Sequence, residues 1–139
     1  MAGNSAGNLR PLDLAGLVRA LEARVKALEL QASVRPVFFI TDATSTSSTT
    51  FTRMAWSSFP RSGSSVTVDV SVSGGTGCEL QLRADGTQIA AATVTSSGTV
   101  TLQGFLAEGW AFGARKVVEV QAKVSSGTAT IAVVGAWHR

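Results

Sequence analysis

The run Val66-Thr67-Val68-Asp69-Val70-Ser71-Val72-Ser73 places an apolar β-branched residue at every second position, with a polar residue between each pair. Only a β-strand repeats its side chains with a period of two, so this stretch is a strand with one dry and one wet face. A dry face of four valines must be covered, and the rest of the chain supplies the cover. Leu80, Leu82 and Ala84 alternate with Gln81 and Arg83, and Val100 and Leu102 with Thr101 and Gln103. Val118, Val120, Ala122 and Val124 alternate with Glu119, Gln121 and Lys123. Further strand candidates at 36–41, 50–56, 87–94 and 128–137 bring the expected number to about eight.

Turn chemistry separates these runs. Asp85-Gly86 lies between two of them and is a strong hairpin signal, because a two-residue hairpin turn needs positive φ at both positions. Gly74-Gly75-Thr76-Gly77, Ser96-Ser97-Gly98 and Ser125-Ser126-Gly127 mark further reversals. About eight short strands in residues 36–139 read as an antiparallel β-sandwich, expected to be a jelly roll. Two stretches break the alternation. Residues 41–50 are rich in hydroxyls and read as a loop or edge segment, ordered at a subunit contact. Residues 107–115 form a long connection in which Trp110 and Phe112, flanked by glycines, are candidate ligand contacts, with a loop plug or a trimer interface as the other reading of Trp110.

Before Pro36 the period is different. Leu14, Val18, Leu21, Val25, Leu28 and Ala32 follow at spacings of 4, 3, 4, 3 and 4, a heptad seam with Val at a and Leu at d. Asp13, just after Pro11, suits a helix start, and Pro36 forces an end by disfavouring helical geometry at its predecessor. The expected division is an arm at 1–11, a coiled-coil helix at 12–35 and a β head at 36–139. A helix of about 20 residues is marginal alone in water, so it needs a partner. Arg24 falls at g and Glu29 at the next e, the spacing that pairs charges between neighbouring chains. The segment Arg24-Val25-Lys26-Ala27-Leu28-Glu29 also resembles a short trimerisation motif of coiled coils, with Arg, apolar, two free positions, apolar and Glu. β-Branched a and Leu d alone lean toward two strands. The motif, with Leu17 widening the stripe, favours three, and the expected trimerisation residues are Leu14, Val18, Leu21, Arg24, Val25, Leu28 and Glu29.

Composition narrows the function. The formal charge is +3 and the computed pI about 9.8. With no Tyr and one His, little buffers between carboxylates and lysines, so a small surplus raises the pI. Residues 1–35 carry five positive and three negative charges and residues 36–139 seven and six, with no basic cluster of the kind nucleic acid requires. No apolar run approaches the ~20 residues of a membrane helix, and the N-terminus has no secretory pattern. Cys78 is alone, which excludes an intrachain disulfide and points to a small core residue. No motif for a metal, a cofactor or a phosphate loop is present, and the one histidine, His138, stands at the frayed end of the chain. The expectation is a protein without catalytic, cofactor or metal residues. Trp56, Trp110 and Trp137 with Arg53, Arg61 and Arg115 could form a sugar-stacking surface, although Trp56 and Trp137 read first as partly buried strand-end residues.

Taken together, Leu17-Val-Arg-Ala-Leu-Glu-Ala-Arg-Val-Lys-Ala-Leu-Glu29, the Ser/Thr-rich junction and Val117-Val-Glu-Val-Gln-Ala-Lys-Val-Ser-Ser-Gly-Thr-Ala-Thr130 make the chain similar to small virion surface proteins of tailed bacteriophages. That resemblance implies a homotrimer fixed by residues 1–11 to a capsid or tail, either as capsid decoration or as a tail-tip or short-fibre component. The head would face outward on the virion surface, with a host-surface glycan as a candidate ligand. The alternative expectation is a carbohydrate-binding adhesion module not tied to a virion.

Overall fold

The computed structural model describes residues 11–95 and 97–139, with backbone alone for residues 11, 12 and 28–33. The expected arm therefore lies almost wholly outside the described residues, as do the side chains of Leu28, Glu29 and Ala32. The chain divides into two compact units, Met1–Ser33 and Val34–Arg139.

The first unit contains α1, Pro11–Ser33, a helix of 23 residues. Proline suits the first helical turn, where its missing N–H has no partner to lose, and Asp13 places a carboxylate near the positive end of the helix dipole. The helix stops two residues short of the expected 35, because Arg35 and Pro36 turn into a strand.

The second unit is a sandwich of two antiparallel sheets. Its strands are β1 (Arg35–Pro36), β2 (Ile40–Thr41), β3 (Ser45–Thr46), β4 (Thr52–Pro60), β5 (Ser65–Thr76), β6 (Cys78–Ala84), β7 (Thr87–Val94), β8 (Gly98–Phe105), β9 (Arg115–Lys123) and β10 (Ser126–His138). One sheet runs β1-β10-β5-β8 with β3 also on β10, and the other β2-β4-β9-β6-β7. Successive strands change sheet at every step except β6 to β7. With β1-β10-β5-β8 facing β4-β9-β6-β7, this is the strand order of a jelly roll. The one connection within a sheet is the Asp85-Gly86 turn, where φ is +51° and +81°, as a tight hairpin requires.

The alternating valines form the core. Val66, Val68, Val70 and Val72 of β5 face Leu80, Leu82, Val118 and Val120 of the opposite sheet, all but fully buried. Each such side chain contributes about 1.5–3 kcal/mol by leaving water.

Two expectations change. The single strand at 36–41 is a strap between the sheets, with Pro36 paired to Trp137 of β10 and Ile40 to Trp56 of β4. Residues 41–50 are already ordered by contacts within the chain. Thr46 pairs with Ala129, and the Ser48 and Thr44 carbonyls accept hydrogen bonds from the N–H groups of Val124 and Ile131 at 2.9 and 2.8 Å. The hydroxyl of Ser48 accepts from the Thr50 N–H at 3.1 Å, so the polar side chains here build a turn.

Candidate functional site

On α1, Leu14, Leu17, Val18, Leu21 and Val25 are each between 44% and 52% exposed. Their spacing aligns them along one side of a helix, and Val18, Leu21 and Val25 line an apolar groove with Glu22 and Lys26. Arg24 is exposed beside them. Its expected partner Glu29 and the seam residue Leu28 have side chains outside the described residues.

The 107–115 connection is built around Arg61. This guanidinium is buried and has no carboxylate partner among the described residues. Its Nη1 donates to the carbonyls of Ala107 and Trp110 at 2.8 and 2.5 Å, and its Nε to that of Gly63 at 2.8 Å. Trp110 is 2% exposed, its indole N–H donates to the Ala114 carbonyl at 2.7 Å, and its ring lies 5.7 Å from Phe59. A ring so enclosed presents no face to a ligand, so Trp110 is a plug that closes the loop onto the core. Phe112 is exposed, but one face is covered by Arg61 at 4.6 Å. The structure thus buries Trp110 and leaves Phe112 exposed against Arg61, so the two rings do not form a shared surface.

His138 is 2% exposed, not frayed. Its Nε2 lies 2.9 Å from the N–H groups of both Ser62 and Gly63, and its Nδ1 lies 2.8 Å from the Ser65 carbonyl. Two donors on Nε2 leave the proton on Nδ1, which donates to Ser65. The Arg139 carbonyl then accepts from the N–H groups of Ser64 and Ser65 at 2.7 and 2.8 Å. Both ring nitrogens are occupied by backbone, so this histidine fastens the C-terminus.

The other aromatic candidates lie apart. Trp56 sits mid-strand on the solvent side of β4, because a bulge at Met54 turns both Arg53 and Trp56 outward. Arg53 pairs with Asp42 at 2.5 Å and lies 5.7 Å over the Trp56 ring. Arg115 donates to the Ser58 carbonyl at 2.7 Å. A polar ladder continues across the sheet, from Arg83 to Gln81 at 3.2 Å and from Gln81 to Gln88 at 2.9 Å.

Two surface features had not been singled out from the sequence. Phe38 on the strap is 83% exposed, and Val134, the extra residue of a bulge in β10, is 61% exposed; both line one shallow depression. The second feature is a cleft of about 540 Å³ at the tip of the β6–β7 hairpin, bounded by the end of β8 and by Ala107, Gly109 and Trp110. Phe105 stands on its wall, 74% exposed. Asp85 and Lys116, an ion pair of 2.8 Å, line it with Thr87 and Gln88, whose side chains carry a hydroxyl and an amide. The alternation of Leu102 and Leu106 with Gln103 and Phe105 was the available signal, since it puts an aromatic ring on a wet face.

Among the described residues no three His, Cys, Asp or Glu side chains group as metal ligands, and no helix is long and apolar enough to cross a membrane. Cys78 is buried, and desolvation followed by the nearby charge of Glu79 raises its thiol pKa, which keeps it protonated and unreactive.

No protein family and no curated protein matches the sequence. Solved structures resemble it. An acetyl xylan esterase from the rumen bacterium Butyrivibrio proteoclasticus aligns over 76% of this chain at 14% identity and a TM-score of 0.43. The chain spans 31% of that protein's length. The structure of infectious bursal disease virus, Gx strain, aligns over 74% of this chain and 32% of its own at 13% identity and a TM-score of 0.40. The C-terminal CBM6 of LamC from Zobellia galactanivorans aligns over 76% and 90% at 10% identity, also with a TM-score of 0.40.

Proposed function

We propose that this chain is a non-enzymatic homotrimeric display protein, in which three α1 helices join in parallel and carry three β-sandwich heads. The observation that carries the reading is the stripe Leu14–Leu17–Val18–Leu21–Val25, about half exposed along a 23-residue helix. A helix of this length is marginal alone, and an apolar stripe at a/d spacing is stabilised by copies of itself. The spacing of Arg24 at g and Glu29 at the next e, as in the trimerisation motif, favours three chains. Three heptads give limited buried area, and the Phe38–Val134 patch supplies more where heads touch. The head is assigned no chemistry, which is supported by His138 having both ring nitrogens engaged by the backbone.

The finer reading is a virion surface protein of a tailed phage, anchored through residues 1–11 to capsid or tail as decoration, tail-tip or short fibre. It rests on the resemblance of stalk, junction and head to such proteins. A parallel seam has a direct test, since Cys78 is buried and out of play. Val25→Cys, at a, should oxidise to a disulfide-linked dimer on a non-reducing gel, while Arg19→Cys, at b, should not. Equal cross-linking of both, or of neither, would refute the parallel seam.

A further inference from the structure

We propose that the cleft at the tip of the β6–β7 hairpin binds a neutral saccharide, with Phe105 as the stacking platform. The proposal adds a ligand to the displayed head and does not require the trimer.

A phenyl ring three-quarters in water contributes little to the fold, and here it borders a concavity rather than a flat surface. The concavity is firm. Its Trp110 wall is held by Arg61 and Ala114. The neighbouring wall is Ile89, the bulged residue of β7, which reaches across to β8 so closely that a Cβ on Gly104 would meet its side chain at 2.6 Å. A site that is already ordered loses little entropy when it binds.

The polar groups select the ligand class. Asp85 and Lys116 neutralise each other, so the cleft carries no net charge to attract a phosphate or a basic peptide. Together with Thr87 and Gln88, which line the same cleft as Phe105, they offer both donors and acceptors. Gln88 Oε1 already accepts from Gln81, which fixes the amide and leaves its N–H groups without a partner among the described residues. Hydroxyl groups that both donate and accept, on a ring with an apolar C–H face, match this set; the face stacks on Phe105 and the hydroxyls meet the amide, carboxylate and ammonium groups. Three such clefts on a trimer would turn weak sites into avid binding to a multivalent surface.

The test uses the full chain labelled with ¹⁵N and titrated with the methyl glycosides of glucose, galactose, mannose and N-acetylglucosamine. At least one glycoside should shift the amide signals of Asp85, Thr87, Gln88 and Gly109, and Phe105→Ala should weaken that binding tenfold or more. Phe105 is exposed, so the variant should keep the wild-type melting temperature. Trp56→Ala, on β4 three strands away from β7 in the same sheet, should leave binding unchanged. No shift with any of the four, shifts that survive Phe105→Ala, or shifts centred on Trp56 would each overturn the proposal. A chain that remains trimeric while failing this test loses the cleft assignment alone.

Discussion

His138→Phe should be among the most damaging single changes in the head, although it lies one residue from the C-terminus. Phenylalanine keeps the ring volume and the packing on Phe59, whose centroid lies 4.9 Å away, but accepts no hydrogen bond. The Ser65 carbonyl keeps a donor in the Arg139 N–H at 3.0 Å, so the groups left without partners are the N–H groups of Ser62 and Gly63. An orphaned donor costs about 1–3 kcal/mol when fully buried, and these two are only partly so. Ser62 and His138 border a shallow cleft that admits water, which places the sum near the lower end, about 2–4 kcal/mol. Urea unfolding at one fixed protein concentration measures this as a lower midpoint at unchanged slope. The imidazole ¹⁵N shifts of the wild type should independently report a proton on Nδ1. A loss below about 0.5 kcal/mol, the level of an ordinary surface change, or a proton on Nε2, would refute the assignment of His138 as the acceptor of two backbone donors.

Three further outcomes follow from the same contacts. Arg61→Met should cost about 3 kcal/mol by stripping donors from the carbonyls of Gly63, Ala107 and Trp110. It should also weaken the near-ultraviolet circular dichroism of the freed Trp110, whereas an unchanged spectrum would argue against the clasp. Gly63→Ala should destabilise by about 2 kcal/mol or more, because its Cβ would collide with the backbone carbonyl of Arg139; an unchanged melting temperature would contradict that. Cys78 should resist a thiol reagent in the folded protein and react with one equivalent after unfolding, and rapid labelling of the native chain would contradict its burial.

What the sequence made legible was governed by period. The valines of β5 and β9 and the Asp85-Gly86 hairpin lie where alternation and turn chemistry put them, because each depends on neighbours a few residues apart. Features that depend on distant chain were not legible. The segment 36–41 reads as one strand because its apolar run is unbroken, yet β10 takes its first half and β4 its second. Bulges at Met54, Ile89 and Val134 change parity mid-strand, and that shift aims Trp56 and Val134 outward and Ile89 at Gly104. His138 looked frayed because its partners are more than seventy residues away in sequence. Trp110 and Phe112 are both aromatic, but burial sorts them, placing one in the core and the other against Arg61. Phe105 is legible as outward-facing from its position between Leu102 and Leu106.

If α1 assembles three copies, sedimentation equilibrium of the full chain at micromolar concentration, with Leu21→Asp beside the wild type, will register it. The wild type should run at three times the protomer mass of 14.3 kDa. The variant should fall to the protomer mass with its β-sheet circular dichroism intact, because a carboxylate in the seam has no partner there. A wild type that sediments as a monomer, or a Leu21→Asp variant that stays trimeric, would contradict it.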